Sequence, residues 1–422
     1  MTSIRGTTAR AGLLALALLA FGSASAQHSS DGSYPRLLGM NIGAKNYDDP
    51  SYQQQLARLD VVILGFYPGW KGDRDGSKMR SAVQAMKRLN PALKVGQYTV
   101  LNESRDDPVK GAADRDKIAK LDQEKWWLRN AGGAKQQWTS SYGSWDINIT
   151  GFAKADANGD RYPQWLAKRD AQLYFQRMPE LDIWYFDNVM ERSRVAAADW
   201  RGNGQDLSGK EPEIASAFRK GMADEWATAR QLAPSVVLMG NVDSDLSQPE
   251  YKGRLQGAFL EGLMGASYSI EGKAGWRAMM DRYLGVFANL SPPKLVGFNI
   301  HGRPDDYRSF RYGFASCLLG DGYFSFTEAK AGYGTVAWFD EYDQRLGKAA
   351  EPPPHAAWQG GVWRRRYDSA MVLINPDAAP HTVAVEPGWR HFKGTQASDV
   401  NDGRPVRDLT LGPHDGVLLV KG

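Results

Sequence analysis

Leu181-Asp182-Ile183-Trp184-Tyr185-Phe186-Asp187-Asn188-Val189 is an apolar run of strand length that stops on a carboxylate. The residues before Asp187 are aromatic or branched, as in a strand covered on both faces, and such strands belong to parallel sheets flanked by helices. Past the acid the chain turns polar, with Asn188, Glu191, Arg192 and Arg194. Asp187 therefore sits where a buried strand emerges into a loop. In a parallel barrel that is the end that carries chemistry, so the acid reads as catalytic. The competing reading is a carboxylate that caps a following helix.

Outward from this strand, short apolar runs alternate with helix-like segments between about residues 34 and 348. Strands are predicted at Leu37–Ile42, Val61–Tyr67, Lys94–Val100, Ile183–Phe186, Val236–Met239, Gly257–Leu260, Leu295–Ile300 and Tyr323–Phe326. Eight such runs predict an α/β fold, a closed (β/α)8 TIM barrel. Helices are expected at Lys78–Leu89 and Glu213–Leu232, each ended by a nearby proline, and at Val336–Leu346 as the last of the barrel. The excursion from about Asp106 to Tyr162 is too long for an ordinary connection and predicts a lid or cleft wall. After the proline run Glu351-Pro352-Pro353-Pro354, read as a linker, short strand-like runs separated by turn signals predict a small all-β sandwich over residues 355–422.

Residues 1–26 carry Arg5 and Arg10, a short Leu- and Ala-rich stretch, and Ala24-Ser25-Ala26 before Gln27. This pattern predicts a cleavable signal peptide and a secreted or periplasmic protein with no stable membrane insertion. Without those two arginines the formal charge falls from +4 to +2, too little to suggest nucleic acid as a partner. The single cysteine, Cys317, lies in an apolar segment and cannot form an internal disulfide, so a buried inert thiol is expected. Oligomeric state is not readable from the sequence.

The predicted strand ends supply Asn41 and Lys45, then Tyr67, Pro68 and Trp70, then Asn102 and Glu103. They continue with Asp187 and Asn188, Asn241 and Asp243, Glu261, Asn299 and His301, and finally Thr327 and Glu328. A ring of carboxylates, amides and aromatics suits a carbohydrate: hydrolysis of a glycosidic bond uses two carboxyl groups, and sugar C–H faces stack on aromatic rings. Glu261 closes the run Leu255–Leu260 and is the best partner for Asp187, with Glu103 and Asp243 in reserve. Tyr67, Trp70, Tyr98, Asn102, Glu103, Trp145, Asn188, Asn241, Asp243 and His301 are the expected substrate contacts. Tyr142 is a further possible platform, and Trp184, inside a strand, counts as core. If the two acids form a retaining pair, Glu261 should be the less solvated, because an acid must keep its proton near neutral pH. No cofactor or metal is expected: H-E-x-x-H, P-loop and G-x-S-x-G patterns are absent, and Asp243-Ser244-Asp245 is too common a spacing to signal a metal. Gly332-Tyr333-Gly334 reads as a turn.

Several segments together resemble a family. They are Tyr185-Phe186-Asp187-Asn188, Tyr142-Gly143-Ser144-Trp145-Asp146-Ile147-Asn148, Phe259-Leu260-Glu261-Gly262 and the terminal β region, behind the signal peptide. They are similar to the glycoside hydrolases of the α-galactosidase-like barrel superfamily, and within it to the fifteenth of the numbered hypothetical glycosyl hydrolase families. The resemblance implies that Asp187 is the nucleophile and that an acid closing the fifth or sixth strand is the acid/base. Better-known members use Asp for that second role, so Glu261 departs from the pattern and Asp243 stays open as the alternative. The expected activity is cleavage of O-glycosidic bonds in a polysaccharide or oligosaccharide. The alternative is a polysaccharide-binding or export-assisting barrel that keeps the cleft and hydrolyses little.

Overall fold

The computed structural model describes residues 32–422; the expected signal peptide lies outside the described residues. Eight strands form one parallel sheet in sequence order: β1 (Leu38–Asn41), β2 (Val61–Leu64), β3 (Lys94–Val100), β4 (Ile183–Val189), β5 (Val237–Val242), β6 (Gly257–Met264), β7 (Leu295–Gly302) and β8 (Tyr323–Glu328). A parallel bridge between Leu37 and Phe324 closes the ring, with the Phe324 N–H donating to the Arg36 carbonyl at 2.7 Å. The fold is the expected (β/α)8 barrel.

The two faces of each strand go to different places. Leu38, Met40, Val61, Ile63, Ile183, Tyr185, Met239, Phe259 and Leu295 pack together inside the barrel. The intervening residues Val62, Leu64, Trp184, Phe186, Leu238, Leu260 and Phe298 pack outward against the helices. Because side chains alternate along a strand, Asp187 continues the inward series of Ile183 and Tyr185, and Glu261 follows Phe259. Both acids are thus aimed into the barrel mouth by parity alone.

The helices Ser77–Leu89 and Pro212–Leu232 lie within a residue of their expected bounds. The helix expected at Val336–Leu346 does not form; only a 3-10 turn, Asp340–Asp343, is present. The reason is tertiary. Phe339 stacks on Phe310 with ring centroids 3.7 Å apart, and the Asp340 carboxylate accepts from the Thr395 and Gln396 backbone amides. These contacts hold the segment open. Trp338 and Tyr342 still meet edge to face.

The terminal region forms β9 (Trp363–Arg366), β10 (Ala370–Asn375), β11 (His381–Ala384), β12 (Trp389–His391), β13 (Asp408–Leu411) and β14 (Asp415–Lys421). A four-stranded antiparallel sheet, β9-β10-β14-β12, faces the pair β11-β13. Strand β10 is buried throughout: Met371 and Leu373 face the small domain's own core, while Ala370, Val372 and Ile374 join the core of the barrel. Glu351, at the head of the proline run, accepts from the Arg364 side chain at 3.2 Å and the Arg366 amide at 3.1 Å. That tether docks the run on the sheet. Cys317 is buried in the helix Tyr307–Leu318, and burial pushes its thiol up to about 12. Among the described residues no helix is long and apolar enough to cross a membrane.

Candidate active site

The mouth of the barrel is organised by one amide. Asn241, inward on β5, donates from Nδ2 to Asp187 Oδ1 at 2.9 Å and to Glu261 Oε2 at 2.8 Å. Two oxygens bound to one nitrogen at those lengths can be no more than about 5.7 Å apart. Asp187 also accepts from the Tyr98 hydroxyl at 2.5 Å and from the Asn188 amide at 2.9 Å. Glu261 accepts from the Tyr333 hydroxyl, and the Tyr268 hydroxyl is within hydrogen-bonding reach of it.

The backbone is irregular just beyond each acid. Pairing of β4 with β5 shifts register between Phe186 and Val189, and Asn188 has φ +56°. Pairing of β6 with β7 shifts between Leu260 and Met264, where Gly262 has φ +58° and donates its N–H to Asn299 Oδ1 at 2.9 Å. A Cβ on Gly262 would come within 2.7 Å of the Tyr268 ring. Glycine is therefore required there both by its dihedral and by the ring that closes on Glu261. Bulges of this kind re-aim the side chains beside them.

Both acids are half-buried. Desolvation, and then the charge of Glu261, raise the Asp187 carboxyl above the ordinary range, against the hydrogen bonds from Tyr98, Asn241 and Asn188. Asp187 and Glu261 fall in the same half-buried range, so their exposures do not single out Glu261 as the less solvated carboxyl. The Asp187 carboxylate is bonded to the hydroxyl of Tyr98, whose ring stacks on that of Tyr185 with centroids 5.9 Å apart.

A second tier surrounds the pair. Burial, and less strongly the Asp187 charge, raise Glu103, which accepts from the Trp138 indole at 2.7 Å. Asp146 pairs across a two-residue ladder with Glu103, and burial pushes it up to about 7. Trp145 is half-buried in that ladder, opposite Ser104. Asp243 is turned to the rim, its oxygens taken by the Glu191 amide at 3.2 Å and Arg194 at 3.4 Å. His301 continues the inward series of β7, and its ring lies 6.1 Å from Tyr268 and 6.2 Å from Tyr333. Burial lowers its pKa, so the imidazole is neutral at neutral pH, and its buried Nε2 has no hydrogen-bond partner among the described residues. Three of the exposed large aromatics, Tyr67, Tyr142 and Tyr268, belong to segments at this end.

Two expected contacts are corrected. Trp70 is 1 % exposed, packed on Tyr47 and Phe66 with its indole donating to the Lys45 carbonyl; it holds a loop instead of offering a platform. Asn102 has no exposed surface, so it lies beneath the cleft. Three contacts were missed in the sequence. Tyr333 was hidden in the Gly332–Gly334 turn, which does form, with the Gly43 N–H donating to the Tyr333 carbonyl. Tyr268 follows β6 in a loop, and Trp138 lies within the long excursion; the only local signal for either was an aromatic in a polar segment.

A parallel barrel with acids, amides and tyrosines converging at its strand C-termini is the architecture of a carbohydrate-cleaving enzyme. The chain belongs to hypothetical glycosyl hydrolase family 15, whose sequence profile matches residues 87–371. It is a glycoside hydrolase. Among solved structures it is similar to the glycoside hydrolase domain of PelA from Pseudomonas aeruginosa, with 14% identity and a TM-score of 0.44 over 72% of this chain and 98% of that one. It is also similar to the type III pullulan hydrolase from Thermococcus kodakarensis, with 11% identity and a TM-score of 0.49 over 92% and 75%. The cycloalternan-degrading enzyme from Trueperella pyogenes gives 10% identity and a TM-score of 0.47 over 92% and 62%. No curated protein matches the sequence.

Proposed function

We propose that this glycoside hydrolase is exported and cleaves O-glycosidic bonds of a polysaccharide or oligosaccharide with retention of configuration. Asp187 attacks the anomeric carbon while Glu261 gives a proton to the leaving oxygen; Glu261 then takes a proton from the water that hydrolyses the glycosyl ester. The observation that carries this reading is the shared Asn241 amide. Its two hydrogen bonds, 2.9 and 2.8 Å long, keep the bonded oxygens near the roughly 5–5.5 Å of retaining pairs and below the roughly 6.5–9.5 Å that leaves room for water in inverting ones. Attack is given to Asp187 because it ends the fourth strand, where the resembled superfamily places its nucleophile. Export is supported by the residue pattern of positions 1–26. The test is proton NMR of the first product released from a polysaccharide the purified protein cleaves: the substrate's own anomer should appear first, and initial release of the opposite anomer would overturn retention.

The electrostatics add a pH expectation. Asp187 must be ionised to attack, and burial holds its carboxyl above the usual Asp value of about 3.9. Activity should therefore fall on the acid side at a pH above that value. In this mechanism Glu261 keeps its proton while Asp187 ionises, so Glu261→Gln, assayed with an activated aryl glycoside, which needs no acid, should leave the acid limb in place. A limb that moves to lower pH would show Glu261 ionised while Asp187 titrates and would argue against its role as the acid.

A further inference from the structure

We propose that a cavity of about 340 Å³ beside Tyr98 is a subsite for a sugar unit carrying an anionic substituent, with Lys45 as its counter-ion. The inference rests on the reading above that the barrel mouth binds a glycan, and it names a class of substrate for that mouth. The cavity opens at the ends of β1 to β3, between Lys45, Tyr67 and Tyr98 on one side and Asp114, Lys117, Arg169 and Asp170 on the other. Tyr98 separates it from the catalytic pair, since the hydroxyl of Tyr98 donates to Asp187. A space of this size suits one small ligand. A unit lodged there would neighbour the sugar whose bond is cleaved.

Its charges are unevenly spent. Arg169 is bonded to Asp114 at 3.0 Å, Asp116 at 2.6 Å and Asp170 at 3.1 Å, and Lys117 lies 3.4 Å from Asp114. Both wall carboxylates are thus committed to the two cations beside them. Asp116 adds a third carboxylate to those two cations but lies outside the cavity, with more than half its side chain in solvent, so the cavity's own lining carries one positive charge in excess, that of Lys45. Lys45 is left as the wall cation with no ion pair among the described residues; its ammonium lies 5.3 Å from the centre of the Tyr67 ring. The lysine is half-buried, and desolvation, opposed by the Asp114 field, lowers its pKa. A part-buried ammonium without a carboxylate is costly unless a ligand supplies one.

The loop is also built to hold it. Lys45 has φ +56°, a left-handed turn, and its carbonyl accepts from the buried Trp70 indole at 2.7 Å. Tyr67, 37 % exposed, offers its ring beside the ammonium. An acidic sugar could lay a C–H face on that ring while its anion meets Lys45.

The test is calorimetric titration of the full-length protein with glucuronic acid, glucose and glucose 6-sulfate at low salt, using wild type, Lys45→Met, Lys45→Arg and Asp187→Asn. At least one anionic sugar should bind tenfold or more tighter than glucose; whether it is the carboxylate or the sulfate identifies the anion. Lys45→Met should abolish that preference and Lys45→Arg should keep most of it. Equal binding of charged and neutral sugars, a preference that survives Lys45→Met, or no saturable binding of any of the three would overturn the proposal. Asp187→Asn separates the two readings. A Lys45-dependent preference in a protein that cleaves nothing leaves the subsite standing without the catalytic assignment, whereas cleavage without the preference removes only the subsite.

Discussion

Asp187→Asn should remove turnover while leaving the protein as stable as before, or more stable. The catalytic loss follows from chemistry: an amide cannot form the glycosyl ester, and a fall of at least a thousandfold in kcat corresponds to about 4 kcal/mol of lost transition-state stabilisation. The retained fold follows from geometry. An amide oxygen at the Oδ1 position keeps the bonds from Asn188 N–H and Asn241, and its NH2 at the Oδ2 position can donate to the Tyr98 oxygen. Stability has a sign that can be worked out. Burial raises the folded-state pKa of Asp187 above its unfolded value, so the stability linked to its proton is fully present below the unfolded pKa and is lost as pH rises through the folded one. At neutral pH the native enzyme carries that loss and the asparagine variant does not. Thermal melts at pH 7 alongside turnover decide the matter: a variant with near-native kcat sinks the assignment, and one that melts well below wild type shows that the carboxylate is structural.

The parts of this site that could be read from the sequence are those that lie on strands. An apolar run ending in an acid fixes strand position and, through the two-residue alternation, fixes which face the acid joins; Asp187, Asn241 and Glu261 all follow from that rule. Tyr333 and Trp138 do not, because each reaches its carboxylate from a loop whose path depends on what it packs against. Trp70 misled for the opposite reason. It follows a strand end like a platform, yet the turn at Gly69 and Lys71, both with positive φ, buries it. The expected helix at Val336–Leu346 had its aromatics at helical spacing, but partners distant in the chain, Phe310 for Phe339 and Thr395 for Asp340, hold the segment in another conformation.

Removing residues 351–422 should leave a barrel that does not fold to a soluble state. The terminal domain is part of the barrel's own core: Tyr367, Ala370, Val372, Ile374, Phe392 and Leu418 belong to the same buried cluster as Phe310, Phe314 and Phe324. Burying one Val, Leu, Ile or Phe contributes roughly 1.5–3 kcal/mol, so losing this face costs on the order of 10 kcal/mol, comparable to the whole stability of a domain. Polar groups would be stranded as well. Arg311, 7 % exposed, would lose its bidentate pair with Asp415 at 3.2 and 3.0 Å, and the Leu318 carbonyl would lose the Tyr367 hydroxyl. A milder variant checks the same interface in the intact chain. Val372→Ala should lower the melting temperature measurably, because Val372 is 1 % exposed and faces the barrel; Thr382→Ala, on the exposed face of β11, should not. A truncated protein that remains soluble, melts with wild type and loses only affinity for polymer would instead identify the region as a separable sugar-binding module. The packing argues against that outcome: β10 is apolar on both faces, and Ala370, Val372 and Ile374 would have nothing to cover them without the barrel.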